Sequence, residues 1–121
     1  MKKILLIEDS PTVRTMISAV LKRGGIDVKT AEKGSDGYTQ VKEWKPDLVL
    51  LDLLLPDTNG LDLLAKLKSD ESCKDIPVVM LTSQDSPDDV VKALKIGASD
   101  YLVKYNTMPK VLLEKVKKWI E

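Results

Sequence analysis

No histidine occurs anywhere in the 121-residue chain, and cysteine occurs once, as Cys73. The first absence excludes Ser-His-Asp and Cys-His catalysis and any zinc site with imidazole ligands. The second excludes an internal disulfide and a four-cysteine metal site, and points to a reducing compartment. A surplus of one charge is also missing, since Lys plus Arg number 19 and Asp plus Glu number 19. The balance holds by halves, with nine of each sign in residues 1–60 and ten of each in residues 61–121. Nothing in the charge therefore points to nucleic acid or a membrane surface. Long apolar runs are lacking too. The first, Ile4-Leu5-Leu6-Ile7, stops at Glu8-Asp9, whereas a secretory core needs roughly 7–15 apolar residues and a membrane span about 20. No glycine motif of the Walker or dinucleotide type is present, so no backbone cradle for a nucleotide is expected. What remains for chemistry is carboxylates, hydroxyls and lysines, in a chain expected to be cytoplasmic and free of membrane insertion.

What the sequence does contain is the material of one soluble α/β domain. Hydrophobic residues are 43% and charged residues 31%, proportions that build a real core, and 121 residues suit a single domain over 1–121. Short apolar runs alternate with amphipathic stretches. Ile4–Ile7, Leu48–Leu51, Val78–Leu81 and Tyr101–Val103 are continuously apolar, as are strands of a parallel sheet covered on both faces. Ile26-Asp27-Val28-Lys29-Thr30 alternates instead, which places it at a half-exposed sheet edge. Between the runs lie helices. Ser10-Pro11 and Ser86-Pro87 each pair an N-cap residue with proline at the first helical position. The first of these helices carries Val13, Ile17, Val20 and Leu21 at core spacing and stops at Gly24-Gly25; the second spans about 87–96 with Val90 and Leu94. Further helices fit 35–44, 59–69 and 109–120, the last with Leu112, Val116, Trp119 and Ile120 on one face. Trp44 and Trp119 read as packing residues of their helices, and Cys73 as a spare thiol in a polar loop. The expected fold from this pattern is (βα)5, one domain built on a five-stranded parallel sheet.

In such sheets, sites form at the carboxyl ends of the strands, near the point where strand order reverses. Strand 1 ends in Glu8-Asp9, strand 3 in Asp52, strand 4 in Thr82 and strand 5 in Lys104. Glu32, after strand 2, is a weaker candidate. Asp52 is the most informative residue, an acid with four apolar residues before it and three after. A carboxylate buried without partners is costly. Each residue alone has a bland explanation: an acid turning outward at a strand end, two acids near a helix N-terminus, a common strand-end hydroxyl, a surface lysine. Their convergence on one edge changes the weighting. Three acids facing one another need a cation, and oxygen-only ligation suits Mg²⁺. With a hydroxyl and an ammonium group beside them, the set suits an incoming phosphoryl group.

These residues resemble the receiver domain of two-component response regulators (CheY-like), nearly end to end, and the resemblance implies a doubly wound, five-stranded parallel sheet in the flavodoxin-like order 2-1-3-4-5. The similarity lies in Ile4 to Arg14 (ILLIEDSPTVR), Pro46 to Leu64 (PDLVLLDLLLPDTNGLDLL), Ile76 to Thr82 (IPVVMLT) and Gly97 to Lys104 (GASDYLVK). The D-x-x-x-P-x-x-x-G spacing of Asp52, Pro56 and Gly60 is specific to it. The resemblance implies that Asp52 accepts a phosphoryl group from a phosphohistidine on a sensor histidine kinase. It implies that Asp9, Asp52 and the backbone carbonyl of Leu54 bind Mg²⁺ directly and that Glu8 acts through water. Thr82 and Lys104 would hold phosphoryl oxygens, and Tyr101 would be the aromatic switch that moves with Thr82. Output would run through the fourth helix, fifth strand and fifth helix, including Lys92, Lys95, Tyr101 and Lys110, to a downstream target protein. The chain is thus expected to be a stand-alone receiver, with no direct contact to nucleic acid. It would be no enzyme in the usual sense, but a phosphoacceptor that assists its own phosphoryl transfer and loss. Two positions depart from the family pattern: Tyr105 stands where proline is usual, and Glu8 where Asp is commoner. A rival reading, a small aspartyl-phosphate hydrolase, typically requires a second Asp two residues after the nucleophile, where this chain has Leu54. Another, a degenerate receiver serving only as an interaction module, is opposed by intact Asp9, Asp52, Thr82 and Lys104.

Overall fold

Four of the five strands are apolar along their whole central length, and a strand of that kind is stable only between two layers. The computed structural model, which describes residues 1–82, 86–103 and 109–120, provides those layers. In chain order the elements are β1 (Lys3–Ile7), α1 (Pro11–Arg23), β2 (Asp27–Ala31), α2 (Gly34–Trp44), β3 (Leu48–Leu51), α3 (Gly60–Ser69), β4 (Val78–Thr82), α4 (Pro87–Ile96), β5 (Asp100–Val103) and α5 (Pro109–Ile120). The strands form one parallel sheet in the order β2-β1-β3-β4-β5. The alternating strand, β2, lies at the edge as its pattern requires. Strand order reverses between β1 and β3, the point at which open sheets of this kind carry their sites.

Alternation along β1 divides the core in two. Leu5 and Ile7 join Val41, Leu51, Leu64, Leu67 and Met80 in one cluster, covered by α2, α3 and α4. Ile4 and Leu6 join Ile17, Leu21, Leu50, Leu112 and Val116 in the other, covered by α1 and α5. Helix starts follow the capping chemistry only in part. The Ser10 side chain accepts the Val13 N–H at 3.3 Å, and Asn59 caps α3 by accepting the Leu61 N–H at 2.7 Å. Ser86 sits at the N-cap of α4, but its side chain makes no capping hydrogen bond.

Two expectations about helix-face side chains need correction. Leu94 is exposed, because α4 turns only Ala93 fully into the core. Trp119 is likewise exposed, while Leu112, Val116 and Ile120 carry the buried face of α5. Trp44 does pack against the first core cluster, with the ammonium groups of Lys3 and Lys29 over its ring. Cys73 belongs to that cluster, and its thiol points at the Leu67 carbonyl, 3.5 Å away. Burial pushes the thiol pKa up, so Cys73 is a small core residue in an otherwise polar loop. Among the described residues, no helix is long and apolar enough to cross a membrane.

Candidate functional site

Because β1 and β3 are adjacent and parallel, the residues after them emerge side by side. Ile7 is in register with Leu51, and the next residues are Glu8 and Asp52. The backbone ties both strand ends to the sheet: Glu8 N–H donates to Ala31 O at 2.9 Å, and Asp52 N–H to Ile7 O at 3.1 Å. Glu8 is 1% exposed and Asp52 6%, and they are the two charged residues buried among those described. Asp52 therefore turns inward rather than out to solvent. Asp9 is exposed beside them. Carboxylate oxygens of Glu8, Asp9 and Asp52 all lie within 4.8 Å of one another.

Three carboxylates at that spacing repel one another strongly, the more so where two are out of water. The donor set is hard oxygen only, and nitrogen and sulfur ligands are absent from the cluster. A divalent cation such as Mg²⁺, Mn²⁺ or Ca²⁺ fits that chemistry, while zinc or copper would favour histidine or cysteine. The residues present thus fit a metal on an observation of geometry and ligand type.

The β3–α3 loop shapes the rest of the site. Leu54 forms an isolated antiparallel bridge with Asn59, and Leu55 N–H donates to Thr58 O at 3.3 Å. Gly60 N–H donates to Leu53 O at 2.6 Å. A Cβ at Gly60 would overlap the Asp52 carbonyl oxygen and lie 2.8 Å from Leu53 Cα. Glycine at this position is thus explained by close approach of α3 to the backbone of Asp52. The loop also exposes the Leu54 side chain, which is 54% accessible.

Among the remaining candidates, Thr82 closes β4 and its backbone is in register with Val103. Tyr101, in register with Met80, is half-buried and packs against the core cluster on the α3 and α4 side. Lys104 and Tyr105 lie outside the described residues. Lys92, Lys95 and Lys110 are exposed. Glu32 does not join the acid cluster; it pairs with Arg14 at 3.2 Å on the surface.

Two side chains that frame the site carry no local signal in the sequence. Arg14 donates to backbone carbonyls of the β1–α1 loop. Asp57 accepts from the backbone at the start of α2. An arginine in the first turn of a helix and an acid after a proline are both ordinary, and only the contacts give them roles.

Comparison with known proteins agrees with the geometry. A family model described as the response regulator receiver domain matches residues 4–117. The DNA-binding response regulator MtrA of Mycolicibacterium smegmatis is 40% identical over 116 residues, covering 96% of this chain and 49% of MtrA. The chain spans about half the length of the curated relatives it matches. Among solved structures, the BeF3-activated N-terminal receiver domain of Klebsiella pneumoniae RstA superposes with a TM-score of 0.92 at 38% identity, covering 99% of both chains. The Mn²⁺-bound form of the response regulator Rcp1 superposes with a TM-score of 0.86 at 29% identity, covering 100% of this chain and 96% of that one.

Proposed function

The chain belongs to the receiver-domain family of response regulators, the phosphoacceptor modules of two-component signalling, and on that premise we propose that Asp52 is the residue that takes the phosphoryl group. The observation that carries this reading is the convergence of Glu8, Asp9 and Asp52 within 4.8 Å at the end of β1 and β3. Asp52 follows directly on the central strand β3 and is 6% exposed, so its carboxylate is shielded from bulk water.

In the proposed reaction a carboxylate oxygen of Asp52 attacks the phosphorus of a phosphohistidine on a sensor kinase. The new O–P bond forms as the P–N bond breaks, and the bonding pair returns to the imidazole nitrogen. These 121 residues hold no histidine, so the donor imidazole lies outside them. Family membership supports a divalent metal at the acidic pocket. Mg²⁺ is the proposed ion, held by Glu8, Asp9, Asp52 and the Leu54 carbonyl, and it would supply positive charge against the carboxylates and the phosphoryl oxygens. Thr82 and Lys104 are assigned to hold phosphoryl oxygens. Tyr101 lies on the strand that follows α4, and is assigned to couple the site to the face of α4, β5 and α5. That face presents Lys92, Lys95 and Lys110 beside exposed Val91, Leu94 and Val111, a mixed surface suited to a protein target. Residues 1–121 act together as one receiver unit and turn over no substrate besides the phosphoryl group. Phosphorylation acts by shifting a population between two arrangements of that face.

Intact-mass spectrometry after incubation with acetyl phosphate and Mg²⁺ tests the assignment. One added phosphoryl group is expected in the wild type and none in Asp52→Asn. Equal labelling of the variant overturns the role of Asp52.

A further inference from the structure

A β-strand points consecutive side chains to opposite faces and consecutive carbonyls to opposite sides. On that rule Glu8 and Asp9 would diverge and could not both reach Asp52. They do converge, because β1 ends at Ile7 and the chain turns at once. Arg14 reaches back over that turn. One guanidinium nitrogen of Arg14, Nη1, donates to the carbonyl of Glu8 at 2.9 Å and to the carbonyl of Asp9 at 2.9 Å. Two successive carbonyls accept from a single atom, a geometry that extended backbone cannot provide. Nη2 donates to Glu32 Oε1 at 3.2 Å, tying the same fork to the segment after β2. The Arg14 side chain is 16% exposed against 66% for Glu32, so the grip on the carbonyls is sheltered and the Glu32 leg is open to solvent. Glu8 is steadied from the other side, its Oε2 accepting the Ser10 N–H at 3.0 Å.

We propose that Arg14 is a positioning residue of the metal site, holding the Glu8 and Asp9 carbonyls together so that their two carboxylates face Asp52. This rests on the reading of the three acids as a metal site given above. A planar fork with fixed donors suits this task, and an ammonium group does not: lysine keeps the charge but cannot reproduce the geometry of the guanidinium. Charge alone predicts the opposite effect on metal binding. A cation near the acids disfavours a second cation, so neutralising Arg14 would tighten binding if electrostatics were its whole contribution.

The test is Mn²⁺ binding to the full chain, followed by the electron paramagnetic resonance of free Mn²⁺. The probe is measured on wild type, Arg14→Lys, Arg14→Gln, Glu32→Gln and Asp52→Asn. Arg14→Lys and Arg14→Gln are both expected to bind roughly tenfold more weakly, the scale on which outer-shell partners act. Glu32→Gln should stay within about twofold of wild type, because its pair with Arg14 is surface-exposed. An unchanged affinity in Arg14→Lys, or tighter binding in Arg14→Gln, overturns the proposal even if both variants melt at lower temperature. The unsubstituted protein supplies a second readout: the Arg14 side-chain resonances should shift during Mg²⁺ titration with the same midpoint as the Asp9 amide. Side-chain resonances that stay still overturn it as well. If wild type binds no Mn²⁺, or Asp52→Asn binds as well as wild type, the metal-site reading fails first.

Discussion

Asp57 and Gly34, 23 residues apart, are joined by a hydrogen bond of 2.8 Å from the Gly34 N–H to Asp57 Oδ1. The Ser35 N–H donates to Asp57 Oδ2 at 3.0 Å. Lys33, at the N-cap of α2, makes no side-chain capping bond, so the β3–α3 loop supplies the cap from outside the helix. A Cβ at Gly34 would overlap the Thr58 methyl group, which shows how closely the loop is pressed against α2. The loop that follows Asp52 is thus anchored on its far side.

These donors, Ser35 first and then Gly34, hold the Asp57 carboxyl below its ordinary pKa. A lowered native pKa stabilises the fold above the unfolded value of about 3.9 and loses that contribution as pH falls through the native pKa. Asp57→Ala is therefore expected to melt below wild type at pH 7. The gap should narrow as pH is taken below about 4, where the unfolded chain's carboxyl takes up its proton first, and close once the native carboxyl is protonated as well. Thermal scans of both proteins at pH 7, 5 and 3 check this. A gap independent of pH would mean that the carboxylate charge contributes nothing.

The acid cluster makes a prediction of the opposite kind. Three carboxylates within 4.8 Å oppose folding when no cation is present. At a tenfold excess of Mg²⁺ over its dissociation constant, binding to the native state adds about 1.4 kcal/mol of stability, a rise of several degrees in melting temperature. In EDTA, Asp52→Asn and Asp9→Asn should melt above wild type, and both should lose most of the response to Mg²⁺. Lower melting of both variants in EDTA would show that other partners of the carboxylates outweigh their mutual repulsion.

Gly60→Ala places a methyl group on the Asp52 carbonyl oxygen. Backbone cannot yield as a flexible side chain does, so a loss of about 1–3 kcal/mol is expected. Urea denaturation measures that loss, and Mn²⁺ affinity should fall with it because the Asp52 backbone must move. A variant as stable as wild type would mean that α3 relaxes away from β3 freely.

Cys73 is expected to behave as a core residue. Its burial and raised pKa predict that a thiol reagent at pH 8 labels it no faster than the structure opens. Labelling within seconds in native buffer, at the rate seen in denaturant, would contradict the packed position.

Much of this architecture is legible in one dimension. The apolar run Leu48–Leu51 can be stable only if covered on both faces, and the alternation in 26–30 only if one face is open. Parallel strands deliver their C-terminal residues to one edge, so Glu8, Asp9 and Asp52 converge as soon as β1 and β3 are neighbours. Strand periodicity and topology are local or nearly local rules, and the sequence carries them. Which helix faces are covered is a different matter. Leu94 and Trp119 have core spacing but remain exposed, because periodicity defines a stripe and only packing decides how wide a stripe the neighbours cover. Cys73 is buried in a polar loop for the same reason. The Asp57 cap on α2 depends on two groups 23 residues apart meeting at hydrogen-bond distance. The turn that aims Glu8 and Asp9 at one point depends on Arg14 reaching back over their carbonyls. Residue type names the atoms able to make such bonds; their separation in space, and therefore whether the bonds exist, is a property of the assembled layers.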